Sequence, residues 1–404
     1  MKNELKKDIL ESFRGYLMLG LITLLFNFIS IRLLGSEVFG RFNYGFNIIA
    51  FIMTFAGVGL KSGIMYFFPK NEGKYISFAF LFNFLASIII AIITYIFADD
   101  IFLKRMVPLI WILSAQQLFL GIYSSRSKIK IYFNIQAILG QFITIGITVL
   151  LYYIGLRDTN NLIYASFIAG FICLILHLIV NKDLFSRITI SKTLIIFSLP
   201  TLFSEVMFQI MSRIDAVMIG HMTDKTQVGI YIVAAQIATS TSVVLLIFNT
   251  AFAPKISHMY HNGQLKELKV LYCKATRILG LFSLITFILI LIFGHLVLTL
   301  YGAEYEVGYK VVVYRAIGQF INAGVGSVWL MLRMTGKTKY QVYGTMAGAV
   351  FNIILNYLLI PVYGISGAAI ASMVVTIFMN LLGFILVIKI FKINPYIKNK
   401  KQIN

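Results

Sequence analysis

Glu205, Gln209 and Arg213 set a carboxylate, an amide and a guanidinium at four-residue intervals inside a long apolar stretch. Residues four apart share one face of a helix, so the three form a polar stripe. Counted at about 1.5 Å per residue from Lys192, Glu205 lies roughly 20 Å along that stretch, near the middle of a bilayer. A carboxylate at that depth can exchange an ion, and an arginine beside an amide can hold an anion. The other reading of the stripe is a structural ion pair with a neighbouring helix. Asp215 comes two residues after Arg213 and points to nearly the opposite side, close to the outer end, where simple solvation and a role in the site stand as equal readings. Lys61 precedes Lys70 by nine residues, about 13 Å of helix, and either binds an anionic group or snorkels to the interface. Arg315 follows Lys310 by five residues and offers a further cation near the outer side, with interfacial placement as its alternative. Cations spaced at inner and outer depths suit an anionic group that moves across.

What must position these groups is a set of twelve apolar stretches, at about 12–33, 42–68, 75–98, 107–125, 132–154, 161–181, 193–221, 227–253, 277–300, 311–332, 340–360 and 365–388. Each is long enough to cross a hydrocarbon core of roughly 30 Å. With 59% hydrophobic and 12% charged residues the chain would aggregate in water, so its net charge of +20 is no sign of nucleic-acid binding. Twenty-five of the 35 Lys and Arg fall on one side of the spans, seven on the other, and Lys61, Arg213 and Arg315 within them. Basic loops stay cytoplasmic, so both termini are expected there. The mixed-charge start MKNELKKDILES argues against a cleavable signal peptide. Cys173 and Cys273 lie far apart and His258 and His261 have no third ligand near them, so neither a metal nor a cofactor is expected. In 255–277, Leu265, Leu268, Val270 and Leu271 follow helical spacing, which predicts a short amphipathic helix running into span nine.

Among uncharged polar residues, Gln116 and Gln117 in span four, Gln136 and Gln141 in span five, and Gln319 and Asn322 in span ten are read first as joints between helices. GISGAAIAS is read as a place where helices approach closely. Asp99 and Asp100 read as an ordinary solvated turn. The ends of spans one and seven echo each other: Gly35 and Gly220 precede a short outer loop, and Gly40 and Gly229 each stand two residues before an aromatic. Glycine suits such re-entry because positive φ costs it nothing. Six spans restore the original orientation, so the repeat predicts an all-α polytopic membrane protein with two six-helix lobes, 1–187 and 188–404, around a central cavity.

Four segments carry a family resemblance: IRLLGSEVFGRFNYGFNIIAFIMTFAGVGL, SLPTLFSEVMFQIMSRIDAVMIG with VGIYIVAAQIA, FNTAFAPKISHMYHNGQLKELK, and LMLRMTGKTKYQVYGTMAGAVFNIILNYLLIPVYGISGAAIAS. In this order they resemble the polysaccharide-transporter (Wzx-type O-antigen flippase) branch of the multidrug/oligosaccharidyl-lipid/polysaccharide superfamily. The resemblance implies a flippase that moves polyprenyl-diphosphate-linked oligosaccharide to the outer leaflet of the cell membrane. It implies exchange with H+ or Na+ and partners among membrane lipids and other glycan-assembly proteins. Lys61, Arg213, Arg315 and Gln209 then become substrate-binding candidates, with Glu205 and Asp215 as ion-coupling candidates. Asp215 occupies the place of an Asp that relatives often retain in the span-seven segment. Here Arg213 precedes it, whereas a basic residue commonly follows it.

The rival readings are a drug/cation antiporter of the same superfamily and a membrane-embedded glycan polymerase or glycosyltransferase. Organic cations want acids, and the spans carry only Glu205 and Asp215. An enzyme of that kind would be expected to carry paired acids on a sizeable outer loop. The charge bias predicts that a cysteine placed at Lys266 stays unlabelled by an impermeant reagent in intact cells, and labelling from outside would refute the topology.

Overall fold

The structure, a computed structural model, describes the backbone of residues 2–71, 73–126 and 128–396. Side chains are described from Met18 onward, apart from positions 69–71, 247, 250, 251 and 254. Every regular element among the described residues is helical. Eight helices are long and apolar enough to cross a membrane: Ile76–Phe97, Ile129–Tyr153, Thr159–Val180, Lys192–Met222, Lys225–Leu246, Leu265–Tyr301, Thr338–Tyr363 and Ile365–Phe391. Two further spans are bent pairs, Ser36–Gly57 with Leu60–Phe68 at 47° and Ala303–Gly324 with Val328–Met334 at 43°. Met18–Leu34 and Leu109–Ser125 are shorter apolar helices, so all twelve predicted stretches fall on helical segments. Ile89, Ile92, Ile96 and Phe97 are exposed along one side of Ile76–Phe97, a surface for lipid and not for water. The chain is an all-α polytopic membrane protein.

The described helices group into two compact units, Met18–Gly220 and, with Met1–Leu17, the chain from His221 onward. At the centre of the first unit stands Leu109–Ser125, whose Ile110, Ala115, Leu118, Phe119 and Ile122 are fully buried. Apolar residues all round the helix make it a core element, which is why about 25 Å of helix suffices. Its amides join neighbours as the sequence suggested: Gln116 Nε2 donates to Gly170 O at 2.9 Å, and Gln136 Nε2 donates to Gln116 Oε1 at 2.9 Å. Asn83 Nδ2 donates to Ala56 O and Ser114 Oγ, tying spans two, three and four. Asp100 is not a plain solvated residue. It caps Ile101–Met106 by accepting from Phe102 N at 3.0 Å and pairs with Arg41 at 3.3 Å.

Span two breaks at Val58 and Gly59, both in the left-handed region at φ 49° and 68°. A Cβ on Gly59 would collide with the Ser198 carbonyl oxygen, and one on Gly63 would reach Leu194 Cδ1 at 2.9 Å. Glycines four apart thus bring Leu60–Asn71 against span seven, the small-residue packing that apolar media favour. Span seven carries Pro200 at the same level; its ring removes a helical donor, and Thr201 Oγ1 donates to Ser198 O at 2.7 Å and to Gly59 O at 3.3 Å.

In the second unit the amphipathic segment and span nine form one helix, Leu265–Tyr301, with Leu268 and Tyr272 buried and Leu265 and Val270 exposed. Gly367 lets Ile365–Phe391 close onto Thr338–Tyr363, since a Cβ there would strike the Leu359 carbonyl. Beyond Phe391 the chain folds back as a strap: Arg277 Nε donates to Pro395 O at 2.6 Å and Tyr396 OH donates to Gly324 O. Of the four echoing glycines, Gly35 has positive φ, at 86°. Gly40, Gly220 and Gly229 are helical, and Gly220 makes room for the Tyr44 ring instead.

Gly59→Ala should lower stability by about 1–3 kcal/mol through strain and the clash with Ser198, read as a lower melting temperature in detergent. Gly57→Ala, where an added Cβ meets nothing within 4 Å, should melt no lower than the parent. Equal melting of the two variants would remove the close approach from the account.

Candidate functional site

The polar stripe of span seven lies along the broken span two. Below the break, Lys61 Nζ stands 3.7 Å from Glu205 Oε1, with side chains 31% and 22% exposed. Ser62 Oγ donates to the same oxygen at 3.1 Å. Gly63 and Gly59 allow this approach, and Gly121 packs the other side of the segment, since a Cβ there would lie 2.8 Å from Lys61 O. Lys61 is therefore held inside the unit by a carboxylate, so the snorkelling reading gives way to the pair. The structural ion pair considered for Glu205 is present, and its partner is Lys61, itself a candidate cation.

Above the break, Arg213 Nη1 donates to Asn47 Oδ1 at 3.0 Å and Arg213 Nε donates to Gln209 Oε1 at 2.9 Å. Asn47 is 9% exposed, and its Nδ2 donates to Asn43 O at 2.8 Å, which fixes the amide so that Oδ1 faces the guanidinium. These bonds engage two of the five N–H donors a guanidinium carries. They keep the cation solvated by amides without neutralising it, which leaves its charge available to an anion. Glu205, Gln209 and Arg213 do share a face, as their spacing predicted.

Asp215 is 5% exposed, enclosed by protein, so the solvated reading is overturned. It sits on the same helix as the stripe but outside the Arg213 bonds. Arg315 belongs to the second unit, where it is half-buried and its guanidinium lies 6.0 Å from the Tyr231 ring centroid, at the outer limit of a cation–π contact. The structure thus brings Lys61 with Glu205 and Gln209 with Arg213. Sequence reasoning missed Asn47 and Ser62. Asn43 and Asn47 repeat in span two the four-residue spacing of the stripe, and that echo was the available signal. Among the described residues no group of three or more His, Cys, Asp or Glu could hold a metal.

This arrangement of cations and amides within a helical membrane fold can be set beside known proteins. The family model described as polysaccharide biosynthesis protein matches residues 5–260, and the chain belongs to that family. The MatE model matches residues 200–358. A capsular polysaccharide biosynthesis protein, CapF of Staphylococcus aureus, is 26% identical over 364 residues, covering 84% of this chain and 88% of that protein. An inward-facing multidrug resistance MATE family transporter of the MOP superfamily aligns with a TM-score of 0.72 at 14% identity, over 93% of this chain and 94% of its own. A MOP superfamily transporter from Pyrococcus furiosus, described for the reverse polarity of its binding pocket, aligns at 0.68 with 14% identity, over 96% and 97%. At such identities these two structures establish a shared fold.

If Asn47 solvates Arg213, a double-mutant cycle of Asn47→Ala and Arg213→Ala should show coupling of about 1 kcal/mol or more in thermal stability. Additive effects would show that the contact contributes nothing.

Proposed function

We propose that this transporter is a flippase for polyprenyl-diphosphate-linked oligosaccharide, carrying it from the cytoplasmic to the outer leaflet of the cell membrane by alternating access. The observation that carries the reading is the cationic bias of the stripe: Lys61 and Arg213 beside Glu205, with amides from Gln209 and Asn47 around the guanidinium. A diphosphate presents charged oxygens that an ammonium and a guanidinium bind well, and amides suit sugar hydroxyls. Membership of a polysaccharide biosynthesis family supports the same cargo.

In this reading the diphosphate competes with Glu205 for Lys61. Once its cation turns to the substrate, the carboxylate is left in a medium of low dielectric without a counter-charge, and in the outward-facing state it takes H+ or Na+ from the outer side as the cargo leaves. Return to the inward-facing state restores the Lys61–Glu205 pair and expels the ion to the cytoplasm, so cargo and ion move in opposite directions. Asp215 is a second proposed ion-exchanging group, and Arg315 a proposed outer cation that receives the headgroup. The moving bodies are the two proposed six-helix lobes, 1–187 and 188–404. Both termini are proposed to face the cytoplasm.

The match of the MatE model to residues 200–358 favours one rival, a drug/cation antiporter. An organic cation would need a free carboxylate, whereas Glu205 is engaged by Lys61. Loss of Lys61 would then help the antiporter and harm the flippase. Lys61→Ala and Arg213→Ala should abolish glycan export in cells at near-normal protein levels, and Lys61→Arg and Arg213→Lys should retain part of it. Full export by either alanine variant would release that residue from substrate binding, and drug resistance gained by Lys61→Ala would favour the antiporter.

A further inference from the structure

Span ten is broken inside the second unit, where Ala303–Gly324 and Val328–Met334 meet at 43°. A continuous helix would offer Gly324 O to the Val328 N–H and Val325 O to the Trp329 N–H. Here Val328 N donates to Gly326 O at 2.8 Å instead. The two carbonyls accept from tyrosines: Tyr396 OH donates to Gly324 O, and Tyr272 OH donates to Val325 O at 3.3 Å. Gly326 turns the corner at φ 79°, and a Cβ there would collide with Thr276. The bend is thus kept by hydroxyls that stand in for helical donors, as the interior of a membrane protein requires.

Tyr396 comes from the strap that follows Phe391. Within the strap, Ile393 is 1% exposed and joins the core cluster of Tyr272, Val325, Val328 and Leu332. Arg277 Nε donates to Pro395 O at 2.6 Å, and Tyr396 N donates to Asn394 Oδ1 at 3.0 Å. Gly280 leaves room for the tyrosine, since a Cβ there would lie 3.1 Å from its hydroxyl. Tyr396 itself is 56% exposed, and the strap buries only Ile393 and Pro395. A contact of two buried side chains and a few hydrogen bonds belongs to the low-stability end of a fold, where local release occurs.

We propose that residues 392–396 are a latch on span ten: docked, they hold the span bent at 324–327, and released, they let it close into a continuous helix. The two states exclude each other, because the Tyr396 hydroxyl and the Val328 N–H compete for the Gly324 carbonyl. Such coupling is reciprocal, so whatever straightens span ten must also free the strap. The upper half of the span carries Arg315, and the latch therefore acts on the helix that bears the proposed outer cation. It does not depend on the identity of the cargo.

The test uses the purified full-length protein in nanodiscs, with Cys173→Ser and Cys273→Ser, spin-labelled at Val270→Cys and Arg333→Cys. Both positions are exposed, one on Leu265–Tyr301 and one on the lower half of span ten. Double electron–electron resonance reads the distance between them. Tyr396→Phe keeps the ring and removes the hydroxyl, and it should raise a second distance population by roughly fivefold. Gly326→Ala, strained at this φ, should raise the same population and speed hydrogen exchange in 393–396. Tyr340→Phe, beside the same core cluster, should match the parent in both readouts. Should Gly326→Ala fold poorly, Arg277→Met, which removes the Pro395 bond, must still shift the distances. A lower melting temperature of Tyr396→Phe with unchanged distances would mark the strap as packing only and overturn the latch. So would an equal shift in Tyr340→Phe, or unaltered strap exchange in Gly326→Ala.

Discussion

An ionised side chain within a bilayer must find its solvation inside the protein, because the hydrocarbon supplies none. Span seven places a carboxylate and a guanidinium on one face, and everything in the candidate site follows from satisfying them. Glu205 takes the Lys61 ammonium and the Ser62 hydroxyl, and Arg213 takes the Asn47 and Gln209 amide oxygens. The two ions are treated differently. One is neutralised by an opposite charge, and the other is only hydrogen-bonded, so the stripe as a whole keeps a cationic excess.

That solution depends on the break in span two. A straight helix would carry Lys61 and Asn47 along one axis, whereas the bend at Val58 and Gly59 re-aims the lower segment toward Glu205 while the upper one serves Arg213. Two glycines remove the side chains that would hold the helices apart, and Pro200 loosens span seven where the break meets it. Thr201, next to the proline, links the two helices, its hydroxyl donating to Ser198 O and to Gly59 O. The bent backbone and the ion pair are thus one arrangement: closing the break would separate Lys61 from the carboxylate that holds it.

The helical segments were legible because length and apolarity are properties of a single stretch. So was the face shared by Glu205, Gln209 and Arg213, which needs only the helical period. The joints made by Gln116 and Gln136 were also read correctly, since a lone amide in an apolar span has few other uses. What escaped was relational. The depth of Lys61 counted along a straight helix could not reveal that a 47° bend brings it to Glu205. Asn47 was overlooked because its role rests on a residue 166 positions away. Asp215 was placed by depth alone, and burial by neighbouring groups is invisible to that count. Gly220 and Gly229 were read as turn glycines because their surroundings matched those of Gly35 and Gly40, although only Gly35 adopts the positive φ that such a role requires.

The chain belongs to the polysaccharide biosynthesis protein family, and the cationic stripe turns that membership into a chemical expectation about cargo. The claim is that charge on the lipid's diphosphate is what the protein recognises. Its most direct measurement is translocation in vesicles reconstituted with the purified protein, comparing a polyprenyl-diphosphate-linked oligosaccharide with the same glycan on an uncharged lipid. The account predicts protein-dependent movement of the first, with little of the second. Equal rates for both lipids, or transport of an organic cation with neither lipid moved, would contradict it.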